Sequence, residues 1–134
     1  MDRKTARACA MKLVYEWEMG GDGGEDTLSG ILEVAPDDPE REFVNKIFEG
    51  VKNHREELDA EISKWLKEGW TLTRTSNVDH AILLVAVYEM THTDLSGSIV
   101  INEAVDLANT YSADKAGAFV NGVLGNLYRS RENA

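Results

Sequence analysis

The chain has 134 residues and a formal charge of −10, with 24 acidic against 14 basic side chains. That length allows one domain or two small subdomains sharing an interface, and the acidity by itself argues against nucleic acid as a partner. A single cysteine, Cys9, excludes an internal disulfide framework, and no Cys/His pair has zinc-ligand spacing.

The longest apolar run, Ala81 to Tyr88, falls far short of the ~20 residues of a membrane span. No apolar segment of signal-peptide type stands at the N-terminus, and a cytoplasmic setting is expected.

Helical periodicity dominates the chain in order. Cys9, Ala10, Leu13, Val14 and Trp17 form the stripe of an amphipathic first helix. The glycine-rich "GGDGGED" (20–26) ends it as a mobile loop. A short helix is expected around Thr27 to Val34. "PDDPE" then supplies a turn, with Asp38 as cap and Pro39 in the first turn of a helix running to about Asn53.

Leu58, Ile62, Trp65 and Leu66 mark a fourth helix, closed by Gly69. "WTLTRTSN" reads as a connector. "VDHAILLVAVYEM" has the β-branched content of a strand, yet no second strand candidate exists to satisfy its backbone groups. It is read as a helix buried on most sides. "IVINEAVDLANTY" and "ADKAGAFVNGVLGNLYRSREN" supply two more, giving about seven helices and no sheet.

Within "AFVNGVLGNL" (118–127), an advance of ~100° per residue puts Phe119, Val120, Val123, Leu124 and Leu127 on one face. Ala118, Gly122 and Gly125 lie opposite. A glycine inside a helix costs on the order of 1 kcal/mol relative to alanine. Such a smooth face fits close approach of another backbone within the fold, a partner surface, or plain solvent. Close packing within the fold is the expectation, with Asn121 as a structural hydrogen-bonding group.

No nucleophile elbow, dinucleotide fingerprint or phosphate loop is present. His54, His80 and His92 are scattered and read as surface or half-buried histidines rather than catalysts. Neither an active site, a cofactor nor a metal site is expected.

The charge is uneven. Residues 1–15 carry a net +3, whereas residues 16–68 carry −10. Arg3 and Arg7 are four apart and share a helix face, and cations in a first turn oppose the helix dipole. A structural reading pairs them with the acidic remainder. A functional reading makes them an arm that meets phosphates, with Tyr15 available to stack on a base. So few cations imply weak, salt-sensitive binding unless a second protein joins.

The stretches "ARACAMKLVYEWEM" (6–19), "WTLTRTSNVDHAILLVAVYEM" (70–90), "VINEAVDLANTY" (100–111) and "DKAGAFVNGVL" (114–124) resemble the bacterial transcription antitermination NusB family, in order and spacing. The acidic segment of about 20–60 matches only in its helix pattern. The resemblance implies an all-α fold of two perpendicular helical subdomains, about 1–70 and 71–134. It implies binding of the boxA element of nascent RNA jointly with NusE, itself a small-subunit ribosomal protein. It further implies assembly with RNA polymerase and other Nus factors, suppression of termination, and no catalysis. Family members occur as monomers and as dimers.

Carried over by position, the resemblance assigns RNA contacts to Arg3, Lys4, Arg7, Tyr15, Asp79, Asp114 and Lys115. The family usually has a basic residue where His80 stands and commonly an arginine at Leu84, a lysine at Asn109 and a proline at Ser96. These departures are expected to remove positive charge or rigidity on the RNA side and to deepen dependence on NusE. RNA methyltransferases with similar N-terminal domains continue into a nucleotide-binding domain, so the end at Ala134 is expected to exclude that reading. An acidic helical protein–protein adaptor with weak or no RNA binding is the alternative.

Overall fold

The structure is a computed structural model that describes residues 1–22, 24 and 26–132. Part of the glycine-rich loop, Gly23 and Glu25, lies outside the described residues. Among the described residues there is no β-strand, and six α-helices carry the fold: α1 (Arg3–Glu18), α2 (Arg41–Asn53), α3 (Arg55–Lys64), α4 (Asn77–His92), α5 (Gly97–Tyr111) and α6 (Ala116–Glu132). Single turns of π-helix at Thr27–Ile31 and of 3-10 helix at Leu72–Arg74 complete the helical count. The all-α architecture expected from periodicity is observed.

The ends of these helices follow from local chemistry. Asp2 caps α1, its carboxylate accepting from the Thr5 N–H at 2.8 Å. Ser76 caps α4 by accepting from the Asp79 N–H at 3.1 Å, with the acid itself in the first turn where the helix dipole favours it. Asp38 does not cap α2: that helix begins at Arg41, and Asp38 instead closes the preceding turn by accepting from the Glu40 N–H at 2.9 Å. The fourth periodic segment also stops earlier than Gly69. α3 ends at Lys64, and Gly69 turns the connector with φ 83°.

α4 is the centre of the molecule. Every residue from His80 to Met90 is buried, so the helix has no solvent face over that span. The segment whose composition resembled a strand is therefore a helix buried all round, apolar except for the paired His80 and Glu89. It packs against α1, α2 and α3 on one side and against α5 and α6 on the other. One continuous apolar core runs through it, from Leu13 and Val44 to Val100 and Leu124.

The smooth face of α6 is corrected by the structure. Val120, Val123, Leu124 and Leu127 are buried as expected. A Cβ at Gly122, however, would meet no atom within 4 Å, and one at Gly125 would meet only the flexible Arg129 guanidinium at 3.3 Å. Gly122 faces solvent and permits no packing. The close approach lies one and a half turns earlier, where a side chain at Gly117 would collide with Asn109 of α5. Gly117 lies at about −100° from Ala118, at the border of the core face and outside the 118–127 stretch, so the close approach falls beside the bare face rather than on it.

Candidate nucleic-acid interface

α1 carries its cations on two different edges. Arg3 and Arg7 turn toward α2 and α4. The Arg3 guanidinium bonds Glu40 at 2.6 Å and sits 4.0 Å from the Phe43 ring centroid. Arg7 is only 6% exposed. It makes a two-pronged contact with the equally buried Glu89, Nε to Oε1 at 2.6 Å and a terminal nitrogen to Oε2 at 3.0 Å. A bidentate, desolvated pair of this kind clamps α1 to α4. Arg7, which the resemblance assigns to RNA, thus has its charge paired inside the protein.

The other edge runs beside α5. Lys4 reaches across to Asp106 at 2.7 Å and Glu103 at 3.5 Å. Two turns on, the Lys12 ammonium lies 4.8 Å from the centre of the exposed Tyr111 ring, a cation–π geometry. Between them a groove of about 230 Å³ separates α1 from α5, floored by Thr5, Ala8 and Leu107. Tyr15 follows Lys12 by three residues on the same edge and is 36% exposed.

The far end of this edge meets the start of α4. Asn77 donates to the Met19 sulfur at 3.2 Å, joining the end of α1 to the start of α4. The Ser112 hydroxyl donates to Asp79 Oδ1 at 2.6 Å, which ties the α5–α6 turn to the same place. Asp114 and Lys115 are exposed in that turn. Lys115 adopts φ 72°, a left-handed conformation that costs a non-glycine residue about 1–3 kcal/mol, and its carbonyl accepts the first hydrogen bond of α6 from Phe119.

Of the residues assigned from sequence, the fold thus gathers Tyr15, Asp79, Asp114 and Lys115 toward one end of the molecule. Lys4 leads along the groove toward them. Arg3 and Arg7 are turned away. Lys12 and Tyr111 were not among the assigned residues. Lys12 carried a signal in its spacing, eight residues from Lys4 and three from Tyr15. Tyr111 closes a family-like stretch, but nothing in the sequence pointed it at Lys12.

Two of the departures from the family pattern also change meaning. Leu84 is fully buried, so a charge there would not lie on an exposed RNA surface. His80 does not remove positive charge. It is 7% exposed and lies between two carboxylates, Nε2 to Asp59 Oδ1 at 2.6 Å and Nδ1 to Glu18 Oε2 at 3.2 Å. Burial would lower its pKa, but the hydrogen bonds to Asp59 and Glu18 outweigh burial and push it up to about 9. The same contact, with that from Arg55, holds Asp59 below the usual carboxylate range despite its partial burial. His80 is a cation spent on the interior, like Arg7.

No helix among the described residues is long and apolar enough to cross a membrane. The NusB family model matches residues 4–129. The chain is 41% identical to the transcription antitermination protein NusB of Acetivibrio thermocellus, over 96% of this chain and 90% of that one. Its fold is similar to a chain in a crystal structure of a plectonemic RNA supercoil, at TM-score 0.87 and 31% identity over 98% of this chain and 97% of that one. It is also similar to a chain in the crystal structure of antitermination factors NusB and NusE in complex with dsRNA, at TM-score 0.83 and 30% identity over 96% of each chain. With nearly its whole length matched in sequence and in fold, the chain belongs to the NusB family of non-catalytic transcription antitermination proteins.

Proposed function

We propose that this chain binds the boxA element of nascent ribosomal RNA together with NusE, and through that complex joins RNA polymerase and other Nus factors to suppress termination. The observation that carries the reading is the α1–α5 edge, where Lys12, Tyr111 and Tyr15 offer a cation and two exposed rings in a row. Cations position phosphates, and exposed aromatics stack on unpaired bases. Asp79, Asp114 and Lys115 extend this edge at the ends of three helices. The likeness to NusB bound to NusE and RNA supports the same reading.

The edge holds few cations, and Lys4 is already engaged by two acids. Affinity for RNA alone is therefore low, and NusE supplies the rest. Titrating labelled boxA RNA with and without NusE, over a series of salt concentrations, tests this. Weak binding alone and tighter binding with NusE are expected, and Tyr15→Ala should cost about 1–3 kcal/mol of RNA affinity at an unchanged Tm. Tight binding by the lone protein would overturn the dependence on NusE. An unaltered affinity in Tyr15→Ala would move the RNA to another face.

One observation favours the adaptor reading: the arm cations Arg3, Lys4 and Arg7 all have carboxylate partners within the chain. An adaptor would bind NusE identically with and without boxA RNA.

A further inference from the structure

His54 and His92 are 38 residues apart in sequence, yet their ring centroids lie 4.4 Å apart at the corner where α2 passes into α3 and α4 ends. Glu57, in the first turn of α3, brings a carboxylate oxygen to 3.6 Å from His92 Nε2. One ligand-type atom from each of these residues falls within 4.8 Å of the others. We propose that His54, Glu57 and His92 form a surface binding site for a divalent transition-metal ion, with zinc the best match to two imidazoles and one carboxylate.

The imidazoles are held as metal ligands are held. His54 Nδ1 lies 2.9 Å from the Gly50 carbonyl oxygen, so that nitrogen carries the proton and Nε2 is left to ligate. His92 Nδ1 lies 2.7 Å from the Thr91 hydroxyl, which in turn donates to the Val87 carbonyl at 2.7 Å. That leaves His92 Nε2, the nitrogen nearer Glu57. The His92 ring is fixed further by stacking on Tyr88, centroids 4.9 Å apart and planes 6° from parallel. Gly50 makes this arrangement possible twice over. Its carbonyl orients His54, and a side chain there would occupy the place of the Tyr88 ring.

Ligand atoms bound to one tetrahedral zinc stand about 3.3 Å apart, given Zn–N and Zn–O bonds near 2.0–2.1 Å. Glu57 is solvent-exposed, so rotation of its side chain can draw its carboxylate toward the two imidazoles. Three protein ligands leave a fourth position open to solvent, for water or for an acceptor group of a bound molecule. Magnesium and calcium, which prefer all-oxygen shells, do not fit a site with two imidazoles. The bound ion would tie the end of α4 to the α2–α3 corner, far along α4 from the Asp79 end.

The test uses the full chain, stripped of metal with chelator and titrated with zinc alone by calorimetry. One equivalent of zinc is expected to bind and to raise Tm by several degrees, since a ligand bound only by the native state stabilises it. Cobalt in place of zinc should give visible d–d absorption. Glu57→Gln alters an exposed side chain and should leave the metal-free Tm near wild type, whereas His92→Ala also loses the stacking on Tyr88 and is compared through its own metal-free Tm. Each should weaken zinc binding at least tenfold and abolish the zinc-dependent rise in Tm. Zinc affinity unchanged in both variants, or no saturable zinc binding by the wild-type chain, would overturn the site.

Discussion

Arg3 and Arg7 on one edge of α1, and Lys4, Lys12 and Tyr15 on the next, are built from similar residues within four turns of one helix. Their surroundings separate them. The first edge faces Glu40, Glu89 and Phe43, and its charge is absorbed there. The second faces α5, where Lys4 is paired with Asp106 and Glu103 but Lys12 meets an aromatic ring rather than an acid. A count of cations in the first helix therefore overstates what is available to a phosphate, and the partner across the helix interface decides which cations remain.

Removing Arg7 gives the largest contrast between the edges. Arg7→Ala leaves Glu89 buried without its counterion and should destabilise the fold by about 3–5 kcal/mol, measured by urea unfolding. Pairing it with Glu89→Leu removes the stranded charge and should recover most of that loss. If the double variant is as unstable as the single one, the clamp is held by something other than this pair.

His80 extends the comparison to a cation enclosed by two acids on α1 and α3. Its folded pKa, near 9, lies above the ordinary value of 6.5. The stabilisation it provides is therefore fully present below about pH 6.5 and is lost as pH rises through about 9. Because Asp59 keeps partial contact with solvent, the effect is about 1–3 kcal/mol. Unfolding free energies at pH 6.5 and pH 9.5 should differ by about this amount more in the wild type than in His80→Gln. Equal pH dependence in the two would show that the imidazole is not charged in the fold.

The smallest effects compare the two edges directly. Lys12→Ala should lower the slope of RNA affinity against salt by about 0.7 if that ammonium meets a single-stranded phosphate. Arg3→Ala, exposed and paired with Glu40, should change stability by less than about 1 kcal/mol and leave the slope unaltered. A loss of slope in Arg3→Ala alone would reverse the roles of the two edges.

Much of this molecule was readable from its sequence, and the limits have a common cause. Periodicity identified the helices and the inward stripes of Leu13, Val14, Val120 and Leu124, because burial on one face leaves a 3.6-residue imprint. It also assigned Arg3 and Arg7 to one face. It had no means of naming Glu89, 82 positions from Arg7, as the residue that face meets. The same blindness to neighbours hid Tyr111 from Lys12, and His54 from His92. It also transferred the close approach on α6 from Gly117 to Gly122. The turn at Asp38–Pro39 was recognised as a helix start, but the carboxylate closed the turn itself. The family resemblance named Asp79, Asp114 and Lys115, and the structure adds the Ser112 hydroxyl that holds their two segments together.

The enclosure of α4 has a consequence for how the molecule opens. A backbone amide between His80 and Met90 has helices on every side, from the first half of the chain and from the second. Hydrogen exchange there is expected to follow global unfolding, whereas the amides of α3 and of the Ser112–Lys115 turn should exchange through smaller, local openings. The rim that would meet RNA is thus free to adjust while the helix behind it stays closed.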